Sequence, residues 1–201
     1  YFHPVLMGKK MLQSDITQHI GMAKEVNDFR NTTGEEPYWA ESAFSGMPTY
    51  QIGTYFPNDY IYYIDNFFRF LPRPADYLFL YFLGFYVLLM VFKVHWRSAI
   101  VGSLAFGFST YLIIIFAAGH NAKAHAIGYI PFVMAGIISV FQKNYLLGFV
   151  ITALSMSLEI KANHPQMTYY LLFGVLLFCV VEFIEALKEK KNYAIFYSNR
   201  D

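Results

Sequence analysis

Two polar stretches interrupt the apolar part of this sequence, and both contain histidine, lysine and amide side chains. Residues 119–125 include His120 and Lys123, and residues 159–166 include Lys161, His164 and Gln166. Near the start of the chain, Asp15 and His19 stand four residues apart, which places them on one face of a predicted helix. Ionisable groups beside apolar segments are costly to bury, so they usually line a cavity or pair with one another. We therefore predict that these side chains line one pocket.

Each of these residues also has a purely structural interpretation. Asp15 could cap the N-terminus of a helix, and Glu159 could form an ion pair with Lys161. His164, which precedes a proline, could only mark the end of a helix. His120 and His125 are five residues apart and do not share a helix face, so a metal site between them would need the loop to fold back.

The composition excludes an ordinary soluble domain and indicates an integral membrane protein. Of the 201 residues 56% are hydrophobic, and 29 are charged. Residues 1–76 hold 15 of the charges and residues 188–201 hold 6, which leaves only 8 for residues 77–187. A net charge of +1 provides no basic surface for nucleic acid. The single cysteine, Cys179, excludes a disulfide framework.

Apolar segments separated by charges predict an all-α fold with about five transmembrane helices between residues 77 and 187. The predicted spans are residues 77–92, 98–119, 124–141, 145–159 and 166–187. Six basic residues lie at one set of ends, namely Lys93, Arg97, Lys143, Lys188, Lys190 and Lys191. The opposite ends carry only Lys123 and Lys161, so we expect residues 1–76 to face outside and residues 188–201 to be cytoplasmic.

Residues 1–76 are predicted to form a large outer loop with helices on the membrane surface. Ile16, Ile20, Ala23 and Val26 recur at helical spacing after Asp15, with Gln18 placed as in a capping box, so we predict a helix to about Arg30. Glycine and proline residues predict a loop over 31–57, and residues 58–71 read as an interfacial helix whose Ile and Phe side chains enter the headgroup boundary. The loop has aromatic side chains suited to stacking on sugars or to the interfacial belt, namely Tyr38, Trp39, Phe44, Tyr50, Tyr55 and Phe56.

The order of several short motifs resembles the YfhO-like bacterial membrane proteins, which have the GT-C fold of membrane glycosyltransferases. The motifs are SDITQH at 14–19, Trp39, GMP at 46–48 and NHPQ at 163–166. The resemblance extends over the whole chain but only over the N-terminal part of such a protein. Together with the absence of an initiator Met, it leads us to expect a piece of a longer chain that lacks a preceding hydrophobic segment.

This resemblance implies transfer of a sugar from a polyprenyl-phosphate carrier to an acceptor at the outer face of the bacterial cytoplasmic membrane. Asp15 would be the general base on the acceptor hydroxyl. Lys123 and Lys161 would bind the phosphate of the carrier, and His120, His164 and Gln166 would orient phosphate or sugar hydroxyls. His19 and Trp39 complete the implied donor site. No metal ligands are predicted, although a divalent cation is left open, and the implied partners are membrane lipid and the lipid-linked sugar.

Two other functions compete with this hypothesis. A transporter or flippase would account for His125 and Pro131 within a span, because interrupted helices often line binding sites. Against it, the polar groups cluster on one side of the membrane and no internal repeat is visible. A non-catalytic membrane scaffold would use the aromatic loop to bind a partner, but it would leave the outer polar groups without a role.

Overall fold

The computed structural model describes residues 3–9, 11–53 and 58–198, without the side chains at positions 6 and 189–198. It is 74% helical, which confirms a predominantly helical fold. The helices in these ranges are α1 (His3–Leu6), α2 (Ser14–Thr33), α3 (Ile61–Phe68), α4 (Ala75–Val91), α5 (Trp96–Gly107), α6 (Thr110–Ala118), α7 (Asn121–Phe141), α8 (Tyr145–Lys161) and α9 (Pro165–Ser198). Residues up to 164 form one compact unit and those from 165 onward form a second.

The N-terminal helix α2 is longer than predicted, and its start differs from the prediction. Its N-cap is Gln13, so Asp15 is not a cap and the capping-box interpretation of Gln18 was wrong. The helix ends at Gly34, which adopts a left-handed conformation with φ of 73° and donates its N–H to the Arg30 carbonyl. Of the predicted apolar face, Val26 is buried, whereas Ile20 is 65% exposed.

A small hairpin follows α2 in the segment that we predicted to be a loop. Its strands are β1 (Trp39–Ala40) and β2 (Met47–Pro48), which pair antiparallel, and a 3-10 turn covers Thr49–Gln51. Val26, Ala40, Ala43 and Ile52 form a separate small core between the hairpin and α2. The backbone amides of Glu41 and Ser42 donate to Glu25 at 2.9 and 2.8 Å, and these bonds lower the pKa of that carboxyl. Two of the predicted loop aromatics, Tyr55 and Phe56, lie outside the described residues.

Replacing Gly46 with alanine is expected to destabilise this hairpin. Gly46 has φ of 112°, and an added Cβ would lie 2.8 Å from Nε1 of Trp39. Gly34→Ala is the matched control, because Gly34 also has a positive φ but has no atom within 4 Å of the added carbon. Backbone strain alone lowers the free energy of unfolding by roughly 1–2 kcal/mol. The loss in Gly46→Ala should be larger than this, because the added carbon must also displace the Trp39 indole. Trp39 fluorescence during denaturation, in a Trp96→Phe background, measures the difference; equal losses for both variants would contradict the packing argument.

The main core lies where α4, α6, α7 and α8 meet. Tyr77, Leu80 and Tyr81 of α4 are almost fully buried, and Phe116 of α6 stacks on Tyr81 with ring centroids 5.4 Å apart. Tyr81 also donates a hydrogen bond of 3.0 Å to the Ala124 carbonyl. These large rings fill the space between the helices, and they fix the ends of α6 and α7 that lead to the polar stretch at 119–125.

Helices α7 and α8 approach each other closely because glycines lie at their contact. An added Cβ on Gly136 would be 2.6 Å from the Thr152 backbone nitrogen, and one on Gly148 would be 2.7 Å from that of Val140. Small residues at helix crossings let two backbones pack without side chains between them. This contact fixes α8 against α7 and thereby positions the end of α8, after which His164 follows.

Two described helices are long and apolar enough to cross a membrane, namely α7 and residues Pro165–Lys188 of α9. Helices α5 and α6 would make a third span if they cross together, and they meet at a bend of 44°. These helices are candidate spans and are consistent with a membrane protein. Helices α4 and α8 have 17 residues each, fewer than the ~20 that a full crossing needs, so the predicted count of five spans stays a prediction.

The bend between α5 and α6 corrects the prediction of one continuous helix over residues 98–119. Ser109 separates the two helices and has the extended conformation of an N-cap residue, with ψ of 141°. Gly107 precedes the bend, and the side chain of Phe82 occupies the space that its Cβ would need. Glycine weakens a helix and serine favours a cap, so the helix is interrupted here despite its apolar composition.

Candidate functional site

A cavity of about 360 Å³ brings together residues from four parts of the chain. Its lining includes Asp15, Ile16 and His19 of α2, Arg73 before α4, residues 119–123 between α6 and α7, and His164 after α8. Five of the predicted site residues therefore share one cavity, namely Asp15, His19, His120, Lys123 and His164. Its volume falls within the range of small-molecule pockets, roughly 300–1,000 Å³.

The closest polar contact in this cavity joins Asp15 and His120. Oδ2 of Asp15 lies 2.5 Å from Nδ1 of His120, and the two side chains are 38% and 50% exposed. The start of α2 is held there by Gln13, whose amide donates a 2.5 Å hydrogen bond to the Phe116 carbonyl at the end of α6. Because the exposed fractions leave both groups accessible, the pair can meet a ligand in the cavity.

Two cationic side chains line the same cavity. Lys123 has its Nζ 5.2 Å from the centre of the Tyr111 ring, and the Arg73 guanidinium lies 5.8 Å from the centre of the Tyr77 ring. These ring contacts hold the long side chains in place without neutralising their charge. The cavity therefore has two permanent positive charges beside one carboxylate, which favours an anionic ligand.

His164 contributes a buried nitrogen that lacks a partner within the described part of the chain. Its Nδ1 is shielded from solvent and makes no hydrogen bond. Burial lowers the pKa of His164, and the positive charge of Lys123 lowers it further, so the imidazole is mainly neutral at pH 7. A buried polar atom without a partner is destabilising, and a bound ligand with a hydroxyl or phosphate oxygen would satisfy it.

A buried charge cluster connects three of the helices in the same unit as the cavity. Asp65 of α3 accepts hydrogen bonds from His125 at 2.6 Å, Tyr129 at 2.7 Å and Arg69 at 2.5 Å. Arg69 also binds Asp76 of α4 at 3.1 Å. The cluster thus joins α3, α4 and α7. The hydrogen bond to Asp65 satisfies Nε2 of His125, and this accounts for the presence of His125 within an apolar helix.

The electrostatics of Asp65 and Arg69 reflect this pairing. Burial alone would raise the pKa of Asp65, but the hydrogen bonds from His125 and Arg69 outweigh it and hold that pKa well below its usual range. For Arg69, burial works against the charge and the bond to Asp65 more than compensates, so its pKa is above the usual value. Both groups are therefore charged at every physiological pH, and the cluster acts as a fixed structural support.

Two predicted site residues, Lys161 and Trp39, are absent from the cavity lining, and a third, Gln166, lies in the second unit. The Lys161 ammonium forms an ion pair with Asp59 and lies 5.5 Å from the centre of the Tyr62 ring. This bond lowers the pKa of Asp59. Glu159 is fully buried, and its predicted pair with Lys161 stays a prediction. Trp39 packs against Gly46 in the hairpin. Gln166 belongs to the second unit, where its amide donates to the Tyr170 hydroxyl at 2.8 Å.

Sequence reasoning missed Arg73 and Asp65. Arg73 lies four residues before the start of the first predicted span, on the predicted outer side, and that position was the available signal. Asp65 of α3 stands four residues before Arg69, the C-cap residue of that helix, and this spacing favours an ion pair. Neither residue belongs to the two polar stretches from which the candidate site was assembled.

The described residues contain no group of three or more His, Cys, Asp or Glu side chains that could hold a metal ion. Comparison with protein-family models, curated proteins and solved structures finds no match for this chain. The resemblance to the YfhO-like proteins therefore stays a prediction, and the functional argument depends on the cavity itself.

Proposed function

We propose that this chain belongs to a membrane glycosyltransferase that moves a sugar from a polyprenyl-phosphate carrier to an acceptor at the outer face of the bacterial cytoplasmic membrane. The observation that supports it is the shared cavity, in which the Asp15–His120 pair lies with two cations, Arg73 and Lys123. Glycosyl transfer from a phosphate carrier needs a base for the acceptor hydroxyl and positive charge for the leaving phosphate. The residues of this cavity can supply both.

Arg73 takes the place that the sequence suggested for Lys161. Lys161 is neutralised by Asp59, whereas Arg73 lines the cavity together with Lys123. A guanidinium can bind two phosphate oxygens at once, and an ammonium adds a compact charge. As the bond between the sugar carbon and the phosphate oxygen breaks, negative charge grows on the phosphate, and these cations stabilise it more in the transition state than in the ground state.

The proposal includes the GT-C fold, about five spans and the outward orientation of residues 1–76. The lysine and arginine distribution supports that orientation, because it places the cavity residues on the side with fewer basic loops. A polyprenyl carrier lies in the membrane with its phosphate at the surface. A cavity at the outer ends of apolar helices is therefore at the right depth to receive that phosphate.

The test uses the full-length protein in lipid nanodiscs with a panel of radiolabelled polyprenyl-phosphate sugars. Asp15→Asn removes the carboxylate of the Asp15–His120 pair that supplies the base, and it is expected to lower transfer by roughly 10²–10⁴-fold. Asp28→Asn is the matched control, because it makes the same change on an exposed face of α2 away from the cavity. Arg73→Gln and Lys123→Gln should weaken binding of sugar-free polyprenyl phosphate, whereas Lys24→Gln on the same helix as Asp28 should not. Unchanged turnover in Asp15→Asn would remove Asp15 from the mechanism.

The bend between α5 and α6 favours a second candidate, a transporter or flippase. Interrupted helices often bind substrates at their ends, and α6 leads directly into Gly119 of the cavity lining. Uptake of labelled lipid-linked sugar into sealed vesicles without formation of a transfer product would support this function. Transfer to an acceptor without uptake would support the glycosyltransferase.

A further inference from the structure

The contact between Asp15 and His120 determines which nitrogen of the His120 ring can meet a substrate. The inference drawn from this contact rests on the proposed glycosyl transfer. Nδ1 of His120 is the nitrogen that faces Asp15, at 2.5 Å from Oδ2. An ionised carboxylate only accepts hydrogen bonds, so Nδ1 must carry the proton. In the neutral ring the lone pair is then on Nε2, to which no described residue is hydrogen-bonded.

The backbone of both residues is held by contacts far apart in sequence. Besides the bond from Gln13 to Phe116, the Ser14 hydroxyl lies 3.5 Å from the Ala118 carbonyl. Gly119 has φ of 91°, and a Cβ added there would be 2.9 Å from Cβ of Gln13 and 3.4 Å from Cβ of Asp15. Only a glycine lets the start of α2 come this close to the chain that precedes His120. The contacts between the start of α2 and the end of α6 therefore fix the relative positions of Asp15 and His120.

We propose that His120 is the group that takes the proton from the acceptor, through Nε2, and that Asp15 is a positioning residue that holds the imidazole in this tautomer. The acceptor oxygen forms a bond to the anomeric carbon of the sugar, and the bond from that carbon to the phosphate oxygen breaks. The acceptor proton passes to Nε2, and the polyprenyl phosphate leaves with the electron pair. Water then removes the proton from the imidazolium.

The charges around His120 make the carboxylate necessary. His19 of α2, Arg73 before α4, Lys123 of α7 and His164 after α8 all line the same cavity as His120. His164 is mainly neutral, but the positive charges of Arg73 and Lys123 oppose formation of a further cation on the His120 imidazole. Asp15 is the one carboxylate in this lining, and it offsets that repulsion when the proton arrives.

The proposal predicts the pH dependence of transfer. A histidine base is active only when it is unprotonated, so kcat/KM should fall about tenfold or more between pH 7.5 and pH 5. A carboxylate base would instead predict a small loss in this interval, because carboxyl groups in general titrate near pH 4. A flat profile down to pH 5 would overturn the proposal.

Chemical rescue separates the two roles. His120→Ala should lower kcat/KM by roughly 10²–10⁴-fold, and added imidazole should restore a measurable part of it. Imidazole should not restore Asp15→Ala, and His3→Ala, which removes an exposed histidine outside the cavity, should behave as the wild type. The proposal would be overturned if His120→Ala kept most of its activity. It would also be overturned if formate restored Asp15→Ala while imidazole did not restore His120→Ala.

A spectroscopic measurement tests the pair without any turnover. In protein with ¹³C- and ¹⁵N-labelled histidine, His120 should show the tautomer protonated at Nδ1, and Asp15→Asn should change the tautomer ratio. A His120 ring protonated mainly at Nε2 at neutral pH would contradict the proposal even if no sugar donor were found. The NMR measurement therefore tests the role of the Asp15–His120 pair, and the transfer assay tests the proposed glycosyl transfer, so that a negative result in one can be told apart from a negative result in the other.

Discussion

Asp65→Asn is expected to destabilise the unit formed by residues up to 164 by about 3–5 kcal/mol, the usual effect of removing one partner of a buried ion pair. Asp65 is 1% exposed, and it is the common acceptor for Arg69, His125 and Tyr129. Without its charge, the Arg69 side chain, itself only 9% exposed, would keep only its bond to Asp76. Thermal unfolding of the purified protein in detergent, followed by circular dichroism, measures the loss.

Asp59→Asn is the control for this prediction. Asp59 lies just before α3 and also forms an ion pair, but its side chain is 26% exposed. Pairs in contact with solvent contribute roughly 0–1 kcal/mol, so this variant should unfold close to the wild type. Similar losses in the two variants would show that burial does not set the strength of the Asp65 cluster.

The same cluster gives a pH dependence whose sign follows from the pKa of Asp65. The folded state lowers that pKa below the unfolded value of about 3.9, so the unfolded chain binds a proton more readily. The stabilisation is therefore complete above the unfolded pKa and is lost as the pH falls below it toward the folded pKa. The difference in stability between the wild type and Asp65→Asn should be constant near neutral pH and should shrink below about pH 4.

Gly148→Ala is expected to separate helices α7 and α8, with a loss of about 3 kcal/mol or more, the upper end for overpacking. The added carbon would lie 2.7 Å from the Val140 nitrogen and 2.8 Å from the Gly136 carbonyl oxygen. Both atoms belong to the backbone of α7, so no side-chain rotation can relieve the clash. The melting temperature and the yield of monodisperse protein in detergent measure the effect.

Gly21→Ala is the matched control for the helix contact. Gly21 is also within a helix, but an added carbon there has no atom within 4 Å. Alanine is a better helix former than glycine by up to about 1 kcal/mol, so this variant should be as stable as the wild type or more stable. A Gly148→Ala protein with an unchanged melting temperature would mean that the two helices can move apart at little cost.

The sequence predicted the elements whose signals are local. The long, mainly apolar runs of α7 and α9 predicted these helices within a few residues of their observed starts. The break between α5 and α6 was missed because a single glycine and serine are weak signals within a strongly apolar segment. The hairpin after α2 was missed because its strands have two residues each, too few to show an alternating pattern.

The sequence could group the candidate site residues only by the side of the membrane that each was predicted to face. Asp15, His120 and His164 were grouped because the predicted topology placed all three on the outer side. Which of them touch depends on packing between positions more than a hundred residues apart, and the sequence pattern does not contain that information. For the same reason Lys161 was placed in the site, although its partner is Asp59, 102 residues earlier in the chain.

The hydrogen bond from Gln13 to Phe116 has a consequence for how the protein is made. It joins residues 103 positions apart, and the cavity is complete only when His164 is present. At translation rates of about 5–20 residues per second, the ribosome needs roughly 7–30 s to proceed from Asp15 to His164. For most of that interval α2 has been synthesised, but the end of α6, to which Gln13 is hydrogen-bonded, and then His164 have not. The Asp15–His120 pair therefore forms late in biogenesis, and a nascent chain arrested before residue 120 cannot assemble it.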